Sequence, residues 1–189
     1  MQRRAGGGPM GVRVRHVVTG HDAEGRSVVV SDEATPAIEV GAVPGAQFYP
    51  VWGTADGTTT VGTGAPDAEV FPFFPGVGGT RFLLLRFAPE SSAPSPTGSA
   101  DDLSAEVEEK LPGLIGAFEP DAPGMHTTDT IDYGLCVEGE MWLELDDGQE
   151  VHLTPGTCVV QRGTRHAWHN RSDEPALMAY VIVGAGRES

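Results

Sequence analysis

Short runs of alternating apolar and polar residues, separated by turns rich in glycine and proline, recur along most of the 189-residue chain. Such runs predict half-buried β-strands, and their frequent interruption predicts an all-β sandwich or barrel. Residues 12–18 and 26–30 flank a turn at residues 22–25, which predicts a β-hairpin extension at the N-terminal end. The next strand candidates are residues 47–52 and 80–87.

From residue 131 onward the pattern predicts strand after strand. The first run, residues 131–145, is long and apolar, and Gly139-Glu140 predicts a bend inside it. Asp146-Asp147-Gly148 and Pro155-Gly156 are tight-turn sequences. The spacing of strands and turns, about ten residues, predicts a closed or double-sheet β architecture. The further strand candidates are residues 151–153, 158–161, 166–170 and 177–183.

One segment, residues 99–118, has a helical rather than a strand pattern. It begins with carboxylates in the first turn and carries Lys110 near the predicted helix end, as a helix dipole favours. Pro112 and Gly113 interrupt it, and a second short apolar turn follows. We expect this segment to be either a lid over a site or a helix packed on the outside of the sheet.

Length and composition predict one folded domain. Residues 1–10 are rich in glycine and predict a flexible tail, followed by a single domain over residues 11–189. The twin arginine near the start is not followed by an apolar stretch, and no run approaches the ~20 apolar residues that span a bilayer. We therefore expect a cytoplasmic protein with no membrane partner.

The charge balance and the cysteines narrow the class of protein further. A formal net charge of −15 argues against a nucleic-acid partner, because binding to phosphates needs a basic surface. Cys136 and Cys158 lie in apolar, strand-like runs, which favours reduced thiols rather than a disulfide framework. The expected partner is a small-molecule substrate.

Two blocks of the sequence, residues 124–140 and 155–170, carry imidazole and carboxylate groups between glycine-rich bends. His126 and Asp132 have the same parity, but six residues of straight strand span about 20 Å. The chain must therefore turn between them before both can reach one site, and His166 would arrive from a neighbouring strand. Two imidazoles and one carboxylate leave coordination positions open, as in a catalytic metal site. Fe(II) and Zn(II) suit this set best, and Mn and Ni suit it less specifically.

The two blocks resemble the two conserved motifs of the cupin superfamily. In the first block His126 matches the first histidine of the family motif, Asp132 stands where a glutamate is usual, and Gly139 matches the closing glycine. In the second block the matching residues are Gly156, Gly163, His166 and Asn170. The resemblance covers about residues 120–184. It implies a jelly-roll β-barrel with a metal ion inside and a homodimer formed by strand exchange.

This sequence departs from the family motif at the metal site. Thr128 stands in place of the second histidine, and Gln161 stands where proline is usual. Either the metal keeps only His126, Asp132 and His166, or the site has lost its metal. Other groups could replace the missing ligand, namely Cys136, Tyr133 and His169. The predicted catalytic residues are Asp132, Tyr133 and Gln161, and the predicted pocket residues are Thr128, Cys136, Trp168 and Asn170.

Three functions compete at this stage. The first is a metal-dependent enzyme acting on a small carbonyl or carboxylate metabolite by Lewis-acid chemistry, of the lyase, isomerase or dehydratase type. The second is a non-haem Fe(II) dioxygenase with a two-histidine, one-carboxylate site. The third is a non-catalytic barrel that binds a small molecule in an apolar pocket lined by aromatic residues. The candidates for that lining are Phe73, Phe74, Trp142 and Trp168.

Overall fold

The computed structural model describes residues 13–62 and 67–188. The predicted tail, residues 1–10, lies outside these ranges. The described chain forms ten strands and one α-helix, with two short 3-10 turns at Ile115–Ala117 and Asp146–Gly148. The elements are β1 (Arg15–His21), β2 (Ser27–Ala34), β3 (Ala46–Thr54), β4 (Thr80–Phe87), α1 (Ala100–Lys110), β5 (Thr130–Glu138), β6 (Met141–Glu144), β7 (Glu150–Leu153), β8 (Cys158–Arg162), β9 (Ala167–His169) and β10 (Ala176–Gly184).

Two antiparallel sheets form the body of the protein. One has five strands in the order β3-β4-β10-β5-β8, and the other has three in the order β7-β6-β9. Inward side chains of both sheets pack into one core, which includes Met178 of β10 and Cys136 of β5 with Met141 of β6 and Leu153 of β7. The predicted all-β architecture is therefore confirmed.

The strands β1 and β2 form a separate two-stranded hairpin, as predicted for the N-terminal extension. Val14, just before β1, packs with Tyr49 and Val51 of β3. The hairpin thus begins against the outer face of the larger sheet, away from the core that the two sheets share.

Residues 99–118 are helical, as the sequence predicts. Ser99 caps α1, because its hydroxyl accepts a hydrogen bond from the backbone N–H of Asp102. Val107 and Leu111 are fully buried on the core side, and Leu111 ends the helix before Pro112. Within the described ranges, no helix is long and apolar enough to cross a membrane.

The predicted bend at Gly139 separates β5 from β6 and requires glycine. Its φ angle is +73°, and an added Cβ would lie 2.5 Å from the carbonyl oxygen of Pro175. A side chain there would push apart the start of β10 and the end of β5, the two strands that pair beside it.

Candidate functional site

A cavity of about 420 Å³ lies against the inner face of the larger sheet and is lined mainly by apolar side chains. His126, Asp132 and His166, the three residues predicted to form one site, all open into it. Aromatic rings make up much of the remaining wall, namely Phe48, Phe73, Phe74, Phe118, Trp168 and Tyr180. A concave apolar space with a few polar groups is typical of small-molecule sites.

A backbone pairing outside the regular strands brings His126 and His166 together. The N–H of each residue donates to the carbonyl oxygen of the other, at 2.9 and 3.0 Å. This antiparallel bridge places the two imidazole rings on the same face, with their centroids 4.1 Å apart. The chain then bends at Asp129 before β5 begins. The predicted turn between His126 and Asp132 is therefore present.

Both imidazoles are held in the same tautomer by backbone carbonyls. Nδ1 of His126 donates to the carbonyl oxygen of Gly124 at 3.0 Å, and Nδ1 of His166 donates to that of Thr164 at 2.9 Å. Since a carbonyl can only accept, each Nδ1 carries the proton and each neutral ring keeps a lone pair on Nε2. Burial lowers the pKa of His126, and burial with the neighbouring His126 lowers the pKa of His166 to about 4.

Asp132 is the carboxylate of the cavity. The alternation of β5 turns it inward with Thr130, so that only 9% of the residue is exposed. Burial raises the pKa of Asp132 to about 6, although a hydrogen bond from the Thr130 hydroxyl opposes this effect. The Thr130 oxygen in turn lies 2.7 Å from the hydroxyl of Thr128. Thr128 thus supports Asp132 through Thr130 and does not itself line the cavity.

Tyr180 is a cavity residue that the sequence did not reveal. It lies on β10, opposite Gly134 of β5, and its ring packs edge-on against Trp168 at a centroid distance of 5.4 Å. Burial, followed by the charges of Asp132 and Cys136, raises the pKa of its phenol well above the ordinary value. An aromatic residue in an apolar strand is most often part of the core, so its identity alone carried no signal.

The pocket prediction for Trp168 is supported, since it lies between the polar and aromatic parts of the wall. Its ring meets His166 edge-on at 5.6 Å. Phe73 and Phe74, predicted as lining residues of a binding barrel, also reach the cavity. Trp142 does not, because it stacks on His152 at 4.4 Å outside the cavity.

The segment after α1 forms another part of the cavity wall. It therefore lies where a lid, as one of the two roles predicted for residues 99–118, would have to lie. Leu114, Ile115 and Phe118 all line the cavity. Phe118 lies 4.8 Å from the His126 ring. Immediately after it, Glu119 accepts two hydrogen bonds from the Arg165 guanidinium, at 2.7 and 2.8 Å. This ion pair connects the segment to the turn before β9.

The predicted catalytic roles of Tyr133 and Gln161 are not supported by their placement. Tyr133 follows Asp132 directly, so it points to the opposite, outer face of β5 and is 52% exposed. Gln161 is buried beside Asp132 on β8, but its amide donates to the Thr164 hydroxyl at 2.6 Å. It therefore stabilises the turn whose carbonyl holds His166, and it does not line the cavity.

Besides Thr128, two more of the predicted pocket residues do not line the cavity. Cys136 is fully buried in the core, where desolvation and the Glu140 charge raise the pKa of its thiol. Asn170 uses its side chain in the loop before β10, donating to the carbonyls of Phe87 and Glu174 and accepting from Ser172. These contacts make Asn170 a turn-capping residue and not a pocket residue.

The chemistry of the two histidines suits a divalent metal, since both Nε2 lone pairs are available. A complete ligand set is not assembled, because no three His, Cys, Asp or Glu side chains of residues 13–62 and 67–188 are placed to hold one ion. The His169 alternative also fails, because its ring is bound by Glu90 and Glu144 at 2.6 and 2.8 Å. The predicted centre of His126, Asp132 and His166 stays a prediction.

Comparison with known proteins identifies the class of protein that this barrel and cavity represent. The family described as "Cupin domain" matches residues 116–183. The phomopsin biosynthesis cluster protein C' of Diaporthe leptostromiformis is 35% identical over 143 residues, covering 69% of this chain and 74% of that protein. The phomopsin biosynthesis cluster protein D of the same organism is 34% identical over 145 residues, with the same coverage. This chain belongs to the cupin superfamily.

A more distant relative has a name that refers to chemistry. The protein named cupin-domain-containing oxidoreductase virC, of Hypocrea virens, is 37% identical over 62 residues. The match covers 31% of this chain and 32% of that protein.

The predicted cupin fold, with its small jelly-roll barrel, is confirmed by the family match and by the two antiparallel sheets.

Proposed function

We propose that this chain is a cupin-type enzyme that moves protons on a small, largely apolar organic molecule carrying an oxygen group. The observation that supports this most directly is the content of the cavity. Three side chains that can accept a proton, His126, Asp132 and His166, open into a space whose walls are otherwise mainly apolar. An apolar wall favours an apolar substrate, and proton acceptors in one place favour acid–base chemistry.

In this proposal Asp132 removes the substrate proton. Its pKa of about 6 lies closer to neutral pH than that of an ordinary carboxyl group, which suits a general base. The two neutral imidazoles accept hydrogen bonds at Nε2 and so orient the substrate against Asp132. The isomerase, lyase and dehydratase reactions expected from the sequence all contain such a step.

The test is solvent exchange. The protein is incubated in deuterated buffer with a panel of apolar carbonyl compounds and phenols, and deuterium at carbon is followed by mass spectrometry. We expect enzyme-dependent exchange for part of the panel and its loss in Asp132→Asn. Asp129→Asn, a change at an exposed carboxylate that binds Arg187, is the matched control. No exchange with any compound would contradict the proposal.

A metal-dependent reaction is the second candidate, and the tautomer of the histidines favours it. With both Nδ1 atoms donating to backbone carbonyls, His126 and His166 would hold a divalent ion through Nε2. Such an ion would supply Lewis-acid chemistry, or oxygen activation if it is iron. Oxygen activation is worth testing because one relative is named an oxidoreductase.

Elemental analysis of the untreated protein, with oxygen consumption measured beside substrate turnover, separates these reactions. Metal that is lost in both His126→Ala and His166→Ala would support the metal-dependent candidate. Metal that survives in both variants would contradict the ligand assignment. Oxygen-free turnover would contradict the dioxygenase alternative.

We also propose that the protein acts as a homodimer in the cytoplasm. The outer face of the larger sheet carries exposed apolar side chains on β5 and β8, including Tyr133, Leu135 and Val160. A contiguous apolar face of this kind suits contact with a second copy. Sedimentation of wild type and Val160→Lys tests it. A wild-type monomer at micromolar concentration would contradict the proposal.

A further inference from the structure

Two buried polar atoms in the wall of the cavity lack a hydrogen-bond partner among the described residues. They are Oδ1 of Asp132 and the hydroxyl oxygen of Tyr180. A buried polar group without a partner costs about 1–3 kcal/mol, so native proteins seldom keep one without a reason. Here both residues that carry such an atom belong to the wall of the same cavity.

The register of the larger sheet places the two groups next to each other. Tyr180 pairs with Gly134, and Asp132 pairs with Ile182, so Tyr180 and Asp132 are diagonal neighbours on the inner face. Gly134 has no side chain, which leaves the Tyr180 ring in van der Waals range of the strand: a Cβ at Gly134 would lie 3.4 Å from that ring. After burial, the charge of Asp132 is the largest cause of the raised pKa of the Tyr180 phenol.

The two groups have complementary hydrogen-bonding roles. The Tyr180 phenol can donate a hydrogen bond, and the Asp132 carboxylate can only accept one. A single ligand atom that accepts from Tyr180 and donates to Asp132 satisfies both groups at once. A hydroxyl oxygen does both, whereas a carbonyl or an ether oxygen can only accept.

The other residues of the cavity wall indicate which kind of molecule would carry this hydroxyl group. The rings of Phe73, Phe74 and Phe118 face the same space, and Trp168 stands against Tyr180. Aromatic walls favour a flat aromatic ligand through offset and edge-on contacts. A cavity of about 420 Å³ has room for more than one ring.

We infer that the cavity binds a hydroxylated aromatic molecule whose hydroxyl oxygen accepts a hydrogen bond from Tyr180 and donates one to Asp132. This assignment rests on the proposed function and narrows its substrate class to phenols. It also gives Tyr180 a role as the residue that selects the hydroxyl group. Asp132 then lies against the hydroxyl proton of the ligand.

Binding of three matched probes tests this inference. Their affinities are measured by calorimetry for 2-naphthol, for naphthalene, which lacks the oxygen, and for 2-methoxynaphthalene, which can accept but not donate. We expect wild type to bind 2-naphthol about tenfold to a hundredfold more tightly than naphthalene, as a hydrogen bond to a charged group provides. The methoxy compound should lose most of that advantage.

The variant Tyr180→Phe isolates the contribution of the hydroxyl. It removes one buried oxygen that has no partner, so we expect it to fold and to bind naphthalene as wild type does. Its preference for 2-naphthol over naphthalene should fall by about tenfold. Tyr133→Phe makes the same change on the outer face of β5 and should leave all three affinities unchanged.

Equal binding of 2-naphthol and naphthalene by wild type would overturn the inference, as would an equal loss of both in Tyr180→Phe. Deuterium exchange with carbonyl compounds would still support the proposed function in either case. Conversely, a preference for 2-naphthol that depends on Tyr180, without exchange into any compound, would support the inference and contradict the proposed chemistry. If none of the three probes binds, the inference is overturned.

Discussion

The inner and outer faces of the barrel use the same residue types for different purposes. His166 and His169 are three positions apart, so they point to opposite sides of the wall. His166 is buried, neutral, and fixed by a backbone carbonyl, which leaves Nε2 open to the cavity. His169 binds carboxylates with both nitrogens. The difference teaches that the partner of Nδ1, and not the presence of histidine, decides which imidazole is available for chemistry.

The largest expected effect comes from removing one histidine of each kind. His166→Ala removes a hydrogen-bond acceptor that orients the substrate against Asp132, so it should lower the rate of deuterium exchange by about a hundredfold, the cost of a misplaced substrate. His169→Ala removes two surface ion pairs and should leave the rate almost unchanged. The exchange rate of the two variants is measured under identical conditions.

If both variants fold and have similar exchange rates, the conclusion that only the inward histidine takes part in the chemistry is contradicted. Folding is checked by circular dichroism. A slow His169→Ala and an active His166→Ala would place the chemistry on the outer face, at the Glu90–His169–Glu144 cluster.

A second comparison concerns the two aspartates on either side of the start of β5. Asp132 is buried and its pKa is raised from 3.8 to about 6, which costs about 3 kcal/mol when the group is ionised. Since the folded state holds its proton more tightly, the cost is absent below pH 3.8 and complete above pH 6. Asp132→Asn should therefore raise the free energy of unfolding by about 3 kcal/mol at pH 8, and by about half of that at pH 5.

Urea unfolding at pH 5 and pH 8 measures this difference. Asp129→Asn affects an exposed ion pair and should change the free energy of unfolding by less than about 1 kcal/mol at both values. A destabilised Asp132→Asn at pH 8 would mean that the carboxylate has a partner that offsets its burial. The stabilised variant would be a case in which a functional group is kept at the expense of stability.

Much of this division between faces could be predicted from the sequence. The shared parity of His126 and Asp132 favoured one face for both, and the distance along a strand required a turn between them, which the structure contains as a bend at Asp129. Glycine at position 139 predicted the break between β5 and β6. These are local properties, in which parity and backbone conformation leave few choices.

The sequence could not show which inward residues meet across strands. Tyr180 is a diagonal neighbour of Asp132 only because β10 pairs with β5 in one register, and that register is a long-range property. Cys136 has the parity of Asp132 but lies deeper in the core, where the smaller sheet closes over it. The catalytic role predicted for Tyr133 is not supported, because Tyr133 follows Asp132 directly and therefore points to the opposite face of the strand.

The pH dependence of His166 should be smaller than the effect of Asp132→Asn. Burial lowers the pKa of His166 to about 4, below the ordinary 6.5, so the unfolded state gains a proton first as the pH falls. Stability should fall from pH 6.5 toward pH 4, by about 1.4 kcal/mol at pH 5.5 from this residue alone. His166→Gln should remove this part of the pH dependence, measured as the difference from wild type in urea unfolding between pH 8 and pH 5.5.

The corresponding change on the outer face, His152→Gln, serves as a control for the loss of an imidazole as such. His152 is exposed and binds Glu140 at 2.9 Å. An identical change of slope in both variants would contradict the assignment of the effect to burial.

The smallest expected effect concerns the exposed ion pairs of Arg165, which join two segments of the cavity wall. Arg165 donates to Glu119 and Asp146, and so ties the segment that carries Phe118 to the turn that carries His166. Because these groups are partly exposed, Arg165→Gln should cost no more than about 1 kcal/mol of global stability. It should instead increase amide hydrogen exchange locally, in residues 114–119, since local opening needs less free energy than unfolding.

Arg26→Gln removes a similar exposed arginine from the N-terminal hairpin, where it binds Asp22 and Glu24, and should leave exchange in residues 114–119 unchanged. Faster exchange confined to those residues in Arg165→Gln would mean that the wall beside His126 opens without disturbing the barrel, as a lid does. Uniformly faster exchange over the whole chain would contradict that view. The segment would then be a fixed part of the wall, and ligands would have to enter between other elements.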